Sequence, residues 1–172
     1  MLKIFLGAMV GLFSATTVAQ PTELILLRHL HKNTGENPSL SPCGLAQANV
    51  LQQQLANLTI DTAWHSQYQR TAQTARLVTA NRTNYQTYDA KTPAETFKQT
   101  LLEQTGVQLV VGHSNTIPEL IKALSGETVT IAETEFGMLY RLQWQNNHWQ
   151  LQQQPLPRLP KICTSAQQPQ QH

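Results

Sequence analysis

Two short and nearly continuous apolar runs constrain the fold of this chain more than any other feature. Residues 23–27 read ELILL and residues 107–111 read VQLVV. Runs of this length and character are typical of strands that are buried on both faces, as in a parallel sheet. The segments between them alternate between helical spacing and short-strand character. The sequence therefore predicts an α/β fold in which helices cover both faces of a mainly parallel central sheet.

Helix signals mark the ends of several of these segments. Ser41 followed by Pro42 predicts a helix start, because Ser caps free N–H groups and Pro fits the first turn. Capping-box sequences predict helices that begin near Thr92 and Thr116, and Gly126 predicts the end of the second. Apolar spacings of three and four give the first helix a buried face: Leu45, Ala48, Leu51, Leu55 and Leu58. Four further strands are predicted at residues 62–65, 85–88, 138–144 and 149–152.

Size and charge exclude several classes of protein. The chain has 172 residues, of which 40% are hydrophobic, so it is long enough for one domain with a core of its own. Its formal net charge of +2 is too small for a nucleic-acid footprint, and no basic stripe is present. We therefore expect no nucleic-acid partner. The oligomeric state is left open.

The first nineteen residues are typical of a secretory signal peptide. Lys3 supplies the positive charge, residues 4–13 are apolar, and residues 17–19 (TVA) form a small-x-small cleavage site. The alternative is an uncleaved anchor, but the apolar run is shorter than the ~20 residues of a spanning helix. We expect an exported protein, periplasmic or secreted, with no stable membrane insertion. The predicted domain covers residues 20–154, and a Pro- and Gln-rich tail over residues 155–172 is expected to lack packed structure.

After export, the two cysteines, Cys43 and Cys163, would lie in an oxidising compartment. A disulfide between them would tie the tail to the domain. The sequence alone does not establish that their Cα atoms come within reach, so two unpaired cysteines are the alternative.

Charged and histidine side chains directly follow both apolar runs. Arg28 and His29 come after the first run, and His113 comes one residue after the second. Because the carboxyl ends of parallel strands form the ligand-binding edge of such sheets, these residues are candidates for one site. Arg70, at the start of an intervening helix, completes the pattern.

Four segments carrying these residues resemble the histidine phosphatase superfamily, also called phosphoglycerate-mutase-like, and most closely its small exported bacterial members. They are residues 27–30 (LRHL), 66–75 (SQYQRTAQTA), 88–89 (YD) and 111–116 (VGHSNT). The resemblance implies a three-layer α/β/α sandwich and catalysis without a metal or cofactor. It implies that His29 is the nucleophile and forms a phosphohistidine. Arg28, Arg70 and His113 would surround the phosphoryl group, with Ser114 and Asn115 binding phosphate at a helix N-terminus.

One departure from the family pattern leaves the proton donor open. The family has a small residue after Arg-His, often followed by an acid, whereas this chain has Leu30 and His31. Leu30 could crowd the turn beneath the nucleophile. The candidates for the acid that protonates the leaving group are His31, Asp89 and Glu135.

Together with the signal-like N-terminus, the resemblance implies an exported, metal-independent phosphomonoesterase that acts on a small-molecule, glycan or envelope-linked phosphate ester. One alternative is a catalytically impaired phosphate- or phosphosugar-binding protein on the same fold, motivated by Leu30 and His31. A second alternative is a metallohydrolase that uses histidines as ligands. Its candidate ligands are His29, His31, His65 and His113.

Overall fold

The computed structural model describes residues 20–158 and 160–165. The predicted signal peptide and the end of the predicted tail lie outside these residues. Six strands and five helices follow one another along the described chain. The strands are β1 (Pro21–Arg28), β2 (Thr62–Ser66), β3 (Asn84–Tyr88), β4 (Gly106–Gly112), β5 (Leu139–Gln145) and β6 (His148–Gln154). The helices are α1 (Pro42–Gln54), α2 (Gln69–Val78), α3 (Ala94–Leu102), α4 (Thr116–Ser125) and α5 (Lys161–Ser165).

All six strands form one sheet in the order β3-β2-β4-β1-β5-β6. The first four strands are mutually parallel, whereas β5 pairs antiparallel to both β1 and β6. The two apolar runs are neighbours, because β1 pairs with β4 along its whole length. The predicted α/β sandwich with a mainly parallel sheet is confirmed.

Alternate residues of β1 pack into two separate cores, which explains why its apolar run is continuous. Leu24 and Leu26 pack in the core beneath α3 and α4. Ile25 and Leu27 pack in the core beneath α1 and α2. All four side chains are fully buried. Helices therefore cover both faces of the sheet, and the carboxyl ends of its parallel strands stay free to carry a site.

All three helices begin within two residues of the predicted positions and α4 ends at Gly126 as predicted, but only α1 has the predicted cap. Ser41 caps α1 by accepting a hydrogen bond from the N–H of Gly44. Helix α3 is preceded by Pro93 at its N-cap with no side-chain cap, so the capping box at Thr92 is wrong. The capping box at Thr116 is wrong as well, because Thr116 is already helical and its Oγ1 accepts from the N–H of His113 (3.0 Å). Leu45, predicted to be buried, is 49% exposed.

The residues after β6 are packed, which differs from the expectation for the tail. Leu156 packs against the core beneath α1 and α2, and α5 contacts α1. Cys163 in α5 forms a disulfide with Cys43 in α1, with Cα atoms 4.8 Å apart. The bridge that the sequence left open is therefore present. Within residues 20–158 and 160–165, no helix is long and apolar enough to cross a membrane.

Candidate active site

A cavity of about 330 Å³ opens at the carboxyl edge of the parallel strands. Its walls come from the segments that follow β1, β2, β3 and β4, together with the segment that precedes β5. This is the edge at which the sequence placed the candidate site. The lining residues are Arg28, His29, Lys32, Tyr68, Arg70, Ala90, Lys91, His113, Ser114, Asn115, Thr116 and Glu133. Another cavity, at the C-terminal ends of α1 and α2, contains none of the predicted site residues.

His29 is held in one tautomer by the backbone. Its Nδ1 lies 2.8 Å from the carbonyl oxygen of Leu30, which can only accept, so Nδ1 carries the hydrogen. The other ring nitrogen, Nε2, then carries the lone pair. The backbone N–H of His29 donates to the carbonyl of Gly112 (2.9 Å), which joins the ends of β1 and β4. Burial, together with the charges of Arg70 and Arg28, lowers the pKa of His29 to about 3. His29 is therefore neutral at physiological pH.

His113 ends a chain of buried hydrogen bonds. The Oγ1 of Thr71 lies within hydrogen-bond distance of the carbonyls of Ser66 (3.0 Å) and Tyr68 (2.7 Å), and its single proton goes to one of them. The hydroxyl of Ser66 is then free to donate to that Oγ1 (2.9 Å) and to accept from Nε2 of His113 (2.9 Å). In this arrangement the lone pair of His113 is on Nδ1, which accepts from Nη2 of Arg70 (3.4 Å).

The rings of His113 and His29 meet edge to face, with centroids 5.5 Å apart. Burial, together with the charges of Arg70 and Arg28, lowers the pKa of His113 to about 4. The two predicted site histidines are therefore adjacent and both neutral at physiological pH.

Arg28 binds the segment that precedes β5. Its Nη1 donates to the carbonyls of Ala132 (2.7 Å) and Glu135 (3.1 Å), and its Nη2 donates to the carboxylate of Glu133 (2.8 Å). The ring of Phe136 lies 4.3 Å from the guanidinium carbon. Glu133 is thus the protein anion that pairs with Arg28 at the mouth of the cavity.

Glu133 has a second partner in the candidate phosphate site. Its Oε1 accepts a hydrogen bond of 2.5 Å from the hydroxyl of Ser114. This bond, together with the charge of Arg28, lowers the pKa of Glu133 below its usual value. The side chain remains 80% exposed, so it stands between the buried arginine and solvent.

Both arginines keep donor capacity for an anion. The Nε–H groups of Arg28 and Arg70 are buried and have no acceptor in the described part of the chain. Buried donors without a partner cost free energy, and an oxyanion supplies acceptors. The guanidinium group of Arg70 also lies 4.4 Å from the ring of Tyr68, which in turn packs edge-on against His113.

The start of α4 contributes the remaining polar wall. Ser114, Asn115 and Thr116 line the cavity, and Asn115 is the N-cap of this helix. Free N–H groups and the positive end of the helix dipole favour anions there. All six residues predicted for catalysis and phosphate binding therefore meet in one cavity, while their individual roles stay predictions.

None of the three predicted proton donors lines this cavity. The Nδ1 of His31 lies 3.0 Å from the hydroxyl of Ser41, and its ring packs on Phe136. The carboxylate of Asp89 accepts from the side chain of Gln67 and the backbone N–H of Lys91. Glu135, also off the cavity, contacts Arg28 through its backbone carbonyl.

Leu30 does not crowd the nucleophile, contrary to the expectation from its size. It is fully buried in the core beneath α1 and α2, and its N–H donates to the hydroxyl of Thr74 (3.1 Å). The side chain therefore packs in this core and does not line the cavity.

Six lining residues were not assigned to the site from the sequence: Lys32, Tyr68, Ala90, Lys91, Thr116 and Glu133. Tyr68 and Thr116 had a detectable signal, since they lie within segments that resemble the family. The other four lie in loops whose conformation no periodic pattern specifies.

Comparison with known proteins agrees with this arrangement. Residues 24–92, which include His29 and Arg70, match the histidine phosphatase superfamily (branch 1). This match extends from β1 to the residues after β3 and covers less than half of the chain. No curated protein sequence is significantly similar to this chain.

Solved structures share the fold of this protein at low sequence identity. A proposed phosphohistidine phosphatase, SixA, from Agrobacterium tumefaciens is 21% identical with a TM-score of 0.63, over 77% of this chain and 95% of that one. The protein histidine phosphatase SixA complexed with tungstate is 14% identical with a TM-score of 0.62, over 77% and 96%. A phosphoserine phosphatase from Entamoeba histolytica, in complex with 3-phosphoglyceric acid, is 17% identical with a TM-score of 0.58, over 75% and 94%.

The four histidines proposed as alternative metal ligands do not converge in this structure. The Nδ1 of His65 lies 2.9 Å from the carbonyl of Ser66, and neither His65 nor His31 lines the cavity. Among residues 20–158 and 160–165, no group of three or more His, Cys, Asp or Glu side chains is placed to hold a metal ion.

Proposed function

We propose that this protein is a phosphatase that transfers the phosphoryl group of a monoester to His29 and then to water. The observation that carries the proposal is the state of His29. Its Nδ1–H is bound to the carbonyl of Leu30, its Nε2 is unprotonated, and it lies in a cavity with Arg70 and His113. A neutral ring nitrogen beside guanidinium donors is what attack on phosphorus requires.

The chemistry has two steps. Nε2 of His29 attacks phosphorus, a P–N bond forms, and the bond from phosphorus to the leaving oxygen breaks. Water then attacks the phosphohistidine, the P–N bond breaks, and Nε2 regains its lone pair as phosphate leaves. Arg70 and the N-terminus of α4 stabilise the charge on the phosphoryl oxygens, which is the main catalytic requirement of phosphoryl transfer.

We propose that Glu133 is the acid that donates a proton to the leaving oxygen. Of the carboxylates in the described part of the chain, Glu133 alone lines the cavity. A bound phosphate dianion repels the carboxylate and competes for Arg28 and Ser114, so it raises the pKa of Glu133 and favours proton uptake. Glu133 then donates this proton to the leaving oxygen in the first step. The carboxylate takes a proton from the attacking water in the second step.

We also propose that the enzyme is exported and needs no metal. The signal-like N-terminal sequence and the disulfide between Cys43 and Cys163 support an oxidising compartment. Relatives with this fold are described as phosphatases of phosphohistidine and phosphoserine, and one is complexed with tungstate, a phosphate-like oxyanion. Of these substrates, phosphoserine is a phosphate monoester, and it supports a monoester as the substrate class, either a small molecule or an envelope-linked ester.

Phosphate release from an aryl phosphate by the purified protein tests the proposal. We expect release that EDTA does not diminish, that His29→Ala abolishes, and that His148→Ala leaves intact. His148 is a matched control because it is an exposed histidine at the start of β6, away from the cavity. Loss of release in EDTA would support the metallohydrolase instead. Binding of phosphate without any release would show that the protein is a binding module.

A further inference from the structure

The last strand of the sheet, β6, has an open edge. It stands at one end of the strand order, and among residues 20–158 and 160–165 its one strand partner is β5. In the described part of the chain, no hydrogen bond from another segment reaches the backbone of β6. The outer row of N–H and C=O groups is therefore free to pair with a further strand.

The hairpin turn determines which residues of β6 carry these free groups. Asn146 and Asn147 have positive φ angles of 51° and 63°, which is the geometry of a two-residue type I′ turn. In such a hairpin the residues that flank the turn, Gln145 and His148, exchange backbone hydrogen bonds, and bonded and non-bonded pairs then alternate along the strands. Three residues of β6 therefore direct their backbone groups outward: Trp149, Leu151 and Gln153.

Strand β6 lacks the features that usually protect an open edge. Its sequence, HWQLQQQ, contains no lysine, arginine, acidic residue or proline, and its register with β5 is continuous. Charged side chains, proline and bulges are the usual means by which proteins prevent two edges from pairing. Six of its seven side chains are at least partly exposed. It is also longer than β3, the strand at the other edge, which has five residues.

A second copy of β6 fits this edge in one register. Two identical strands can pair antiparallel about a two-fold axis, and all seven residues are paired only when the axis passes through the middle residue, Leu151. The backbone groups of Leu151 point outward, so the full-length register is also a hydrogen-bonding register. Trp149 then exchanges hydrogen bonds with the partner's Gln153, and Leu151 with the partner's Leu151.

The side chains that this register brings together are compatible. Gln150 lies opposite the partner's Gln152, where the two amides can hydrogen-bond to each other. On the other face, Leu151 packs against the core beneath α3 and α4 and meets the partner's Leu151 at the axis. Because the strand contains no Lys, Arg, Asp or Glu, no like charges oppose each other.

We propose that two copies of this chain form a dimer by pairing their β6 strands antiparallel about Leu151, which joins the two six-stranded sheets into one. The pairing is closed, because the two-fold axis uses the same edge of both copies and leaves neither β6 free for a third. No residue of β6 lines the candidate active site, so both cavities stay open in the dimer.

Two charge variants that differ only at residue 150 test the dimer and its register. Gln150→Glu/Gln152→Glu places carboxylates opposite each other at two positions across the axis, whereas Gln150→Lys/Gln152→Glu places an ammonium group opposite a carboxylate at both. Sedimentation equilibrium over a concentration series measures the dissociation constant. We expect a monomer–dimer equilibrium for the wild type. The Kd should rise about tenfold or more in the first variant and stay within about threefold of the wild type in the second.

The two variants put the same load on the subunit fold. In both, the introduced carboxylate at position 152 faces Arg141 of its own hairpin, and position 150 faces Gln143. Their melting temperatures should therefore be similar, and the second variant checks that the first has not simply unfolded. Gln86→Glu, on the exposed side of β3, is the matched control at the other edge and should leave the Kd unchanged.

Each other result overturns the dimer. A wild type that stays monomeric at every concentration, or a dimer unaffected by the first variant, shows that β6 does not pair. Equal weakening in both charge variants excludes the register about Leu151. Weakening by Gln86→Glu would place the interface at β3 instead. Growth into larger species with concentration would show open pairing between β6 and β3 rather than closure about a two-fold axis.

Discussion

At the scale of single residues, burial and two neighbouring arginines decide the protonation of both site histidines. The pKa of His29 is lowered to about 3 and that of His113 to about 4. In the unfolded chain, each titrates near 6.5. As the pH falls below about 6.5, the unfolded state takes up protons that the folded state does not. The lowered pKa values therefore contribute fully to the free energy of unfolding above this pH. This contribution is lost as the pH falls towards the pKa values of the folded state.

Removing one of these histidines should make the protein less sensitive to acid. From pH 7 to pH 5, His29→Gln should lose about 2 kcal/mol less of its free energy of unfolding than the wild type. Denaturant unfolding at the two pH values, in buffer free of phosphate, measures the difference. His148→Gln is the matched control and should lose as much as the wild type. Equal losses in all three proteins would contradict a buried, neutral His29.

The assignment of Glu133 predicts a dependence on the leaving group. In a single turnover, Glu133→Gln should slow release of the alcohol from an alkyl phosphate by on the order of 100-fold, because an alkoxide must be protonated as it leaves. Release of the phenolate from an aryl phosphate in the same first step should slow much less, because a phenolate leaves without a proton. Glu135→Gln changes the same turn without touching the cavity, and it should leave both rates near the wild-type values. A similar loss in this first step for both substrates in Glu133→Gln would assign the carboxylate to binding rather than to protonation of the leaving group.

At the scale of secondary-structure elements, the sequence predicts the strands, because their positions follow from the local pattern of apolar residues. The runs at residues 23–27 and 107–111 correspond to β1 and β4, and the four further predicted strands are all present. Because these two strands are buried on both faces, their apolar character is visible without knowledge of the neighbours. The rule that ligands bind at the carboxyl ends of parallel strands then places His29 and His113 at one edge.

What the sequence does not predict depends on contacts between distant segments. Glu133 pairs with Arg28 across a separation of 105 residues, and its segment has neither helix nor strand to mark it. A contact outside the helix also explains the wrong cap prediction for α4. The hydroxyl of Thr116, expected to cap the helix, instead accepts a hydrogen bond from the N–H of His113. Lys32 and Lys91 are ordinary surface lysines in the sequence, and only the strand order gives them a common cavity.

At the scale of the whole molecule, one covalent bond links the first helix to the last. Cys43 and Cys163 are separated by 120 residues, so their disulfide closes a loop that contains nearly all of the sheet. Both cysteines are buried, and neither lines the cavity. In the chain-entropy account, a loop of this length restricts the unfolded state by an amount worth on the order of 4 kcal/mol. The bond therefore stabilises the domain without forming part of the candidate site.

The disulfide should accordingly affect stability and leave catalysis unchanged. Cys43→Ala/Cys163→Ala should lower the melting temperature by roughly 10 °C. At temperatures where the variant is folded, kcat for the aryl phosphate should match the wild type. Dithiothreitol should lower the melting temperature of the wild type towards that of the variant, and it should not affect the variant itself. If dithiothreitol abolished activity in the folded wild type, α1 and the loop it anchors would have to shape the cavity directly. Unchanged melting in the reduced wild type would instead show that the packing of α5 on α1 holds the tail without the covalent bond.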